Sequence, residues 1–384
     1  MISRRTFLHG ATQVAALGAV SGLAPLGALQ RGGARPGARL IVRSRTPQDL
    51  ETPVSLLTDW ITPNDVFFVR SHLPTPDIDA ATWAVTVAGA IERPLTLRLA
   101  DLRALPRVTT VVTLECAGNG RAFFDPPVAG VQWQRGAVGN ARWTGVRLSD
   151  VLQRAGVRPS GQFVLFDGDD RPIGTVPDFT RTLPIAKAMH RDTLLAFEMN
   201  GVPLPVSHGF PLRVIMPGWY GVANVKWLAE VHLQEERFLG NYQARHYRTV
   251  WAVGGTGELT DTATQFVERE VSKLNLKSVV ARVRKSAGAH TIHGFVLNDG
   301  TPLRSVEVKV DQGPWQRATL DPANTEYSWK LFSYRWQGAT PGEHTLVSRA
   351  TDVNGVVQPT VEELARKKTF LEDNSQFPRK VMIA

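Results

Sequence analysis

Hydrophobic and polar residues follow two patterns along this chain. Over the first two thirds, apolar runs of strand length are separated by short segments with helical spacing. Residues 108–114 form a continuous β-branched and apolar run, which predicts a buried strand. Leu148, Val151, Leu152 and Ala155 recur at i, i+3, i+4 and i+7 before a glycine, which predicts a short amphipathic helix with a C-terminal cap. Small helices interleaved with strands predict an α+β domain.

Four further elements follow from the same pattern. Residues 194–199 and 202–204 are expected to be two strands around a tight turn. Residues 182–184 are expected to open a helix, because proline is favoured at an early helical position. Residues 208–218 are predicted to be a buried strand that carries His208 at its start.

The second pattern begins at about residue 266. Short segments with strict alternation, such as residues 281–284, 306–310 and 344–348, recur between turns rich in Asp, Gly and Pro. This predicts an all-β sandwich of immunoglobulin type without a cysteine pair. The expected organisation is therefore a leader, an extended arm that wraps rather than packs, a mixed α/β domain and a β-sandwich, at residues 1–30, 31–60, 61–265 and 266–384.

The net charge of +9 does not indicate a nucleic-acid-binding protein. Residues 1–48 contain seven Arg and no acid, so the rest of the chain carries only +2. A nucleic-acid-binding protein should show a basic face within its folded domains. We therefore exclude that class.

The N-terminus has the features of an export signal. Arg4 and Arg5 precede a modestly apolar run, residues 10–29, and together they resemble a bacterial twin-arginine signal. The alternative is a membrane anchor, but Gln13 and Pro25 interrupt the run. We expect a protein that is exported folded, is located in the periplasm or its equivalent, and has no stable membrane anchor.

Cys116 is the only cysteine in the chain and lies where the predicted strand ends in a glycine-rich loop. Arg121, about one turn away, would stabilise a thiolate there. A lone cysteine can also be a small buried apolar residue. Two chemical roles remain open, a nucleophile served by a histidine or a single soft ligand to a metal whose other ligands come from a cofactor.

Polar residues at three other places add candidates for the same site. Arg70 and His72 share one face of a predicted strand with Phe68. Arg213 follows His208, and Lys226 comes shortly after them. Arginine and lysine side chains supply the donors that a phosphate group needs.

Four ordered motifs, FFVRSH at 67–72, LECAGN at 114–119, HGFPLR at 208–213 and VKWL at 225–228, resemble the molybdopterin domain of sulfite oxidases. The predicted sandwich is similar to the dimerisation domain of that family. The resemblance implies a molybdenum–molybdopterin cofactor with Cys116 as the one protein ligand to the metal. It also implies that Arg70, Arg121 and Tyr247 line the substrate pocket, and it assigns the cofactor to Phe68, Arg70, His72, Cys116, His208, Arg213 and Lys226.

Lys330 is the clearest departure from the family pattern. It lies in the motif YSWKL at 327–331, where the animal enzymes carry arginine after the second aromatic residue. By the resemblance, its cation should lie at the mouth of the substrate pocket and contribute to substrate binding. The alternative is a solvated strand residue. Lysine keeps the charge but lacks the planar fork of arginine.

The resemblance implies oxidation of sulfite to sulfate in a homodimer. The animal members carry a haem domain, whereas here only a short arm follows the leader. We therefore expect no haem in this chain and a separate electron acceptor, most simply a periplasmic cytochrome c. Alternatives are a sulfane dehydrogenase, or a sulfoxide reductase, although the latter type lacks the sandwich. From other classes, a cysteine hydrolase that pairs Cys116 with His72 or His208 and a periplasmic binding scaffold also remain.

Overall fold

The computed structural model describes residues 39–253, 265–286, 288–369 and 371–384. The predicted leader and the start of the predicted arm lie outside these ranges. The rest of the arm packs into the fold, whereas the sequence predicted an extended arm that wraps around it. Strands β1 (Ile41–Ser44) and β2 (Asp49–Glu51) join β3 (Val69–Arg70) in an antiparallel sheet. The arm packs because the Glu51 carboxylate, which is 1% exposed, accepts the backbone N–H groups of Gln134 and Gly136.

Two five-stranded sheets form the main part of the first domain. The first has the order β11-β10-β7-β6, with β12 also paired to β10. Its strands are β6 (Arg107–Glu115), β7 (Val138–Arg147), β10 (Leu194–Met199), β11 (Val202–Pro203) and β12 (Arg213–Ile215). The second has the order β5-β4-β13-β8-β9, in which only β4 and β13 are parallel. Its strands are β4 (Ala84–Gly89), β5 (Leu95–Arg98), β8 (Phe163–Gly168), β9 (Thr180–Pro184) and β13 (Leu228–Gln234).

Short helices connect these strands. The α-helices are α1 (Leu99–Arg103), α2 (Leu148–Ala155) and α3 (Ile185–Ala188). A π-helix spans Tyr242–His246, and 3₁₀ turns span Val54–Leu56, Asn64–Val66, Arg121–Phe123, Val206–His208, Gly221–Ala223 and Glu363–Arg366. Helix α2 confirms the periodicity argument, including its left-handed cap at Gly156 with φ 74°.

Two local predictions were wrong. Residues 182–184 end strand β9, and the helix begins only at Ile185, because Leu183 is needed in the sheet core and is fully buried. His208 does not start a strand. It lies in a 3₁₀ turn that Gly209, at φ 104°, closes before the chain enters β12. Sequence alternation alone does not show such a turn between two strand-like stretches.

The C-terminal region is a two-layered β-sandwich, as predicted. One sheet contains β16 (Lys277–Ser286), β17 (Ala289–Leu297), β21 (Lys330–Trp336) and β20 (Thr319–Leu320) in that order. The other contains β19 (Gln316–Arg317), β18 (Leu303–Val310), β22 (Gly342–Asp352) and β23 (Arg379–Ile383). Ile292, Val296 and Phe332 of the first sheet pack against Val306 and Leu346 of the second. A separate two-stranded ribbon, β14 (Arg248–Val253) with β15 (Gln265–Glu270), precedes the sandwich.

The sandwich covers the free edge of the first five-stranded sheet. Strand β6 is the last strand of that sheet, and the N–H of Thr113 on β6 donates to the carbonyl of Tyr327 at 3.0 Å. The N–H of Trp329 in turn donates to the Thr113 hydroxyl at 2.6 Å. Trp329 is fully buried and its ring stacks on Phe295 at 5.0 Å. The strand that leads to Cys116 is therefore held on both sides.

Candidate active site

Cys116 follows directly after β6 and begins a tight turn. The N–H of Cys116 donates to the carbonyl of Ala137 at 2.9 Å, and the Cys116 carbonyl accepts the N–H of Asn119 at 2.9 Å. Gly120 has φ 105°, a conformation that favours glycine. At Gly118, a Cβ atom would lie 2.9 Å from the guanidinium nitrogens of Arg121, so glycine allows that cation to lie against the loop.

A cleft with an internal volume of about 70 Å³ opens beside this loop. It combines residues from distant parts of the chain, which the sheets bring together. Eight of the ten predicted site residues line it: Phe68, Arg70, His72, Cys116, His208, Arg213, Lys226 and Tyr247. The four motifs that were singled out in the sequence therefore meet in one cleft.

The Cys116 thiol is 8% exposed and its environment has opposing effects. Burial raises the pKa of the thiol, and this outweighs the guanidiniums of Arg70 and Arg121 and the N–H of Gly118, which favour the thiolate. The isolated site therefore favours the protonated thiol. A bound metal ion would reverse this balance, because coordination deprotonates a thiol outright.

Arg70 reaches the cleft from the end of β3. Its guanidinium forms an ion pair with Asp49 at 3.1 Å and also donates to the carbonyl of Ser71. The Asp49 carboxylate also accepts the N–H of Ser71 at 3.3 Å. Burial raises the pKa of Asp49 despite its ion pair with Arg70. Asp49 orients Arg70, and the sequence reasoning missed it because it lies in the predicted arm.

His72 and Tyr247 form a hydrogen-bonded pair, with the imidazole Nε2 2.7 Å from the phenol oxygen. Phe179 stacks on the imidazole at 4.4 Å. Burial lowers the pKa of His72, with Arg70 and Lys226 adding to the effect, and burial raises the pKa of Tyr247 to about 12. At neutral pH the pair is therefore a neutral imidazole and a phenol that still carries its proton.

Two cations, the buried Arg213 and the partly buried Lys226, occupy another part of the cleft without a carboxylate partner among the described residues. Arg213 donates to the carbonyls of His208 at 2.8 Å and Asn224 at 3.1 Å, while its Nε is buried without an acceptor in those ranges. Lys226 donates to the hydroxyl of Ser71 at 2.8 Å and the carbonyl of Ser207 at 3.0 Å.

Burial lowers the pKa of Arg213 to about 9 and the pKa of Lys226 well below its ordinary value. Burial also lowers the pKa of His208 to about 3, so this imidazole is neutral. Gly209 lies between the cations, where a Cβ would be 3.1 Å from the Cβ atoms of both. Two desolvated cations and an unused N–H donor fit an anionic group such as a phosphate ester.

Asp170 is a second residue that the sequence reasoning missed. It lines the cleft, and burial raises its pKa to about 7, although Lys226 favours the carboxylate. It follows β8 immediately after the run Asp167-Gly168-Asp169. The cluster of acidic residues where an alternating strand ends is the sequence feature that could have identified Asp170. The side chain can accept a hydrogen bond from an N–H group of a ligand, or donate one when it is protonated.

The structure does not bring Arg121 and Lys330 to the lining of the cleft. Arg121 lies against the Cys116 loop and donates to the carbonyl of Val131 at 3.1 Å. Lys330 is buried, and its ammonium donates to the carbonyls of Thr325, Glu326 and Ser328. It is therefore neither a cation at the pocket mouth nor a solvated strand residue, because the preceding loop folds back over the ammonium.

Over the ranges that the structure describes, no group of three or more His, Cys, Asp or Glu side chains is arranged to hold a metal. A metal bound by Cys116 would take further ligands from a non-protein group, and molybdopterin, with two sulfurs and a phosphate, fits the thiol together with the buried Arg213 and the partly buried Lys226. Within the same ranges, no helix has the length and apolar content needed to cross a membrane.

Comparison with known proteins gives a consistent result. Residues 72–242 match the oxidoreductase molybdopterin binding domain. The chain is 36% identical to mitochondrial sulfite oxidase of Mus musculus over 83% of its length, and it spans 61% of that protein. It is 30% identical to sulfite oxidase of Arabidopsis thaliana, with 83% of this chain and 88% of the plant protein covered. The crystal structure of the sulfane dehydrogenase SoxCD from Paracoccus pantotrophus is similar, with a TM-score of 0.77, 25% identity, and coverage of 95% of this chain and 96% of that chain.

Proposed function

Because the chain belongs to the sulfite oxidase family, we propose that it oxidises sulfite to sulfate at a molybdenum–molybdopterin cofactor and passes the electrons to a separate acceptor. The observation that carries the proposal is the cleft itself. It contains the Cys116 thiol, and it also contains Arg213 and Lys226, which are desolvated without a carboxylate partner in the described residues. Such cations are stabilised when an anionic ligand is bound.

The residues of the cleft have different roles in the proposed complex with the cofactor. Cys116 supplies the thiolate ligand, and Arg213 and Lys226 bind the phosphate end of the cofactor. The neutral His208 and His72 and the carboxyl of Asp170 are available for hydrogen bonds to the pterin. The bound cofactor supplies the two-electron oxygen-transfer chemistry, and the protein supplies placement and electrostatics.

Arg70 and Arg121 provide the charge that binds an oxyanion near Cys116, with Arg121 acting from beside the loop. Arg70 is oriented by Asp49, and guanidinium groups suit bidentate binding of sulfur oxyanions. Tyr247 retains its proton because burial raises its pKa to about 12, so it can donate that one proton to the substrate while the Nε2–H of neutral His72 donates to the phenol oxygen and holds its orientation. Phe67 and Phe68 restrict water on the apolar side of the cleft.

Export, the electron acceptor and the assembly belong to the same proposal. The paired Arg4 and Arg5 support twin-arginine export of the folded holoprotein, and a periplasmic cytochrome c fits that compartment. The resemblance of the sandwich to the family dimerisation domain supports a homodimer. Replacing Arg4 and Arg5 with lysine should retain the protein in the cytoplasm. Export of that double variant at the normal rate would contradict the proposed route.

A sulfane substrate is a second candidate, because the SoxCD structure matches 95% of this chain. The decisive experiment measures ferricyanide reduction by the purified holoprotein with sulfite, thiosulfate and protein-bound sulfane sulfur as alternative substrates, together with molybdenum content. We expect one molybdenum per chain and the highest kcat/KM with sulfite. Protein from tungstate-grown cells is the inactive control. Full molybdenum content with turnover of sulfane sulfur alone would exclude sulfite oxidation and support the second candidate.

A further inference from the structure

The floor of the Cys116 loop is formed by residues that follow the catalytic sheets in the chain. Lys277, the first residue of β16, extends under the loop and forms an ion pair with Glu115 at 2.7 Å. The side chains are 2% and 1% exposed. The same ammonium donates to the carbonyl of Asn119 at 3.3 Å. One lysine therefore holds the residue before Cys116 and the residue that closes its turn.

Glu115 and Asn119 are also linked to each other, so the loop is a closed polar unit. The Asn119 amide donates to Glu115 Oε1 at 2.9 Å and accepts the N–H of Ala137 at 3.1 Å. Glu115 Oε2 is buried without a partner in the described ranges, so its carboxylate depends on Lys277 for its countercharge. A buried charge that loses its only countercharge destabilises its surroundings strongly.

The C-terminal segment supports the loop at two further points. The N–H of Glu372 donates to the carbonyl of Ala117 at 2.6 Å. Asp373 forms an ion pair with Arg135 at 2.7 Å, and a Cβ at Gly120 would meet that pair at 2.6 and 2.7 Å. The loop therefore has little freedom to change the direction of the Cys116 side chain.

We propose that Lys277 is a positioning residue for Cys116, through which the sandwich domain sets the direction of the thiol into the cleft. Lys277 does not line the cleft, so it acts through Glu115 and Asn119 and not on a substrate. The part of the test that uses turnover rests on the proposed function, whereas the part that uses thiol reactivity does not.

The test compares the double variant Lys277→Met/Glu115→Gln with wild type. Glutamine can still accept from Asn119, and no unpaired charge stays buried, so the variant is expected to fold. Arg349→Met is the control, because it breaks the Arg349–Glu307 ion pair of 2.9 Å in the opposite sheet of the sandwich. The first measurement is the rate at which iodoacetamide alkylates Cys116 in the full chain from cells that lack molybdopterin.

We expect alkylation of the double variant to be about 10- to 100-fold faster than that of wild type, because loss of an outer contact loosens the ligand it orients. Arg349→Met should be alkylated at the wild-type rate. In holoprotein with unchanged molybdenum content, the double variant should show a lower kcat and a shifted thiolate-to-metal absorption band. A wild-type alkylation rate in the double variant, or an equal increase in Arg349→Met, would overturn the proposal. If the wild-type protein does not oxidise sulfite, the alkylation rates still test whether Lys277 positions Cys116.

Discussion

The substitution Arg213→Met tests the anion site most directly, because its expected effects on the cofactor-free and cofactor-loaded forms differ. Arg213 is 5% exposed, and burial lowers its pKa from the ordinary arginine range to about 9. At about 1.4 kcal/mol per pH unit, holding this cation without an anion destabilises the cofactor-free fold by about 5 kcal/mol. Methionine occupies a similar space and removes that penalty.

The same change removes the hydrogen bonds to the carbonyls of His208 and Asn224. Each carbonyl left without a donor costs about 1–3 kcal/mol, so the two effects largely cancel. We therefore expect the free energy of unfolding of the cofactor-free chain to stay within about 2 kcal/mol of wild type, or to rise. Breaking an ordinary buried ion pair would instead lower it by about 3–5 kcal/mol.

The cofactor-loaded protein should respond differently. Loss of a charge-assisted hydrogen bond to the phosphate, worth about 1.5–3 kcal/mol, should weaken cofactor retention by about 10- to 100-fold. Urea unfolding of the cofactor-free chain and molybdenum content of the purified holoprotein are the two assays, with Arg349→Met as the matched control. Full molybdenum content in a variant whose cofactor-free form loses more than about 3 kcal/mol would refute the assignment of Arg213 to the anion site.

Three other outcomes follow from the structure. Cys116→Ser should abolish sulfite oxidation while molybdenum content is retained, because Arg213 and Lys226 still bind the phosphate; wild-type turnover would exclude Cys116 as the metal ligand. Lys330→Met should lower the free energy of unfolding by up to about 5 kcal/mol, since three carbonyls lose their donor at about 1–3 kcal/mol each, while removal of the buried ammonium, whose pKa burial lowers to about 8, offsets about 3 kcal/mol. It should leave the KM for sulfite unchanged at low ionic strength; a raised KM would restore Lys330 to the pocket. In the cofactor-free chain, burial raises the pKa of Asp170 from 3.8 to about 7. The folded state therefore binds this proton more tightly than the unfolded state, and the stability that the bound proton contributes is lost as pH rises from about 4 to about 7. Melting curves over that range should show this loss in wild type and not in Asp170→Asn, and identical curves would contradict the raised pKa.

Elements set by local pattern could be predicted from the sequence. The apolar run before Cys116 appears as β6, and the spacing of Leu148 to Ala155 appears as α2 with its glycine cap. The two-layered sandwich followed from strict alternation between turns. These features depend on neighbours in sequence, which a reading of periodicity can detect.

The contacts that complete the site depend on neighbours in space, and their signals along the chain are weak. Asp49 belongs to a basic, weakly periodic segment, so nothing marked it as the partner of Arg70. The ammonium of Lys330 binds carbonyls of a loop whose path no alternation pattern describes. In the sequence, Lys277 is indistinguishable from an ordinary polar residue at the start of a strand, because its partner Glu115 is 162 positions away.

The support of the Cys116 loop by Glu372 and Asp373 also limits when the site can form during synthesis. A ribosome releases the catalytic sheets long before it has made the segment whose N–H binds the carbonyl of Ala117. Until residues 327–329 have been made, the edge of β6 also lacks the cover that Tyr327 and Trp329 give it, and an uncovered strand edge can pair with other chains. The nascent protein therefore reaches a cofactor-competent shape only after Glu372 and Asp373 have been synthesised, and any chaperone that protects it must act before that point.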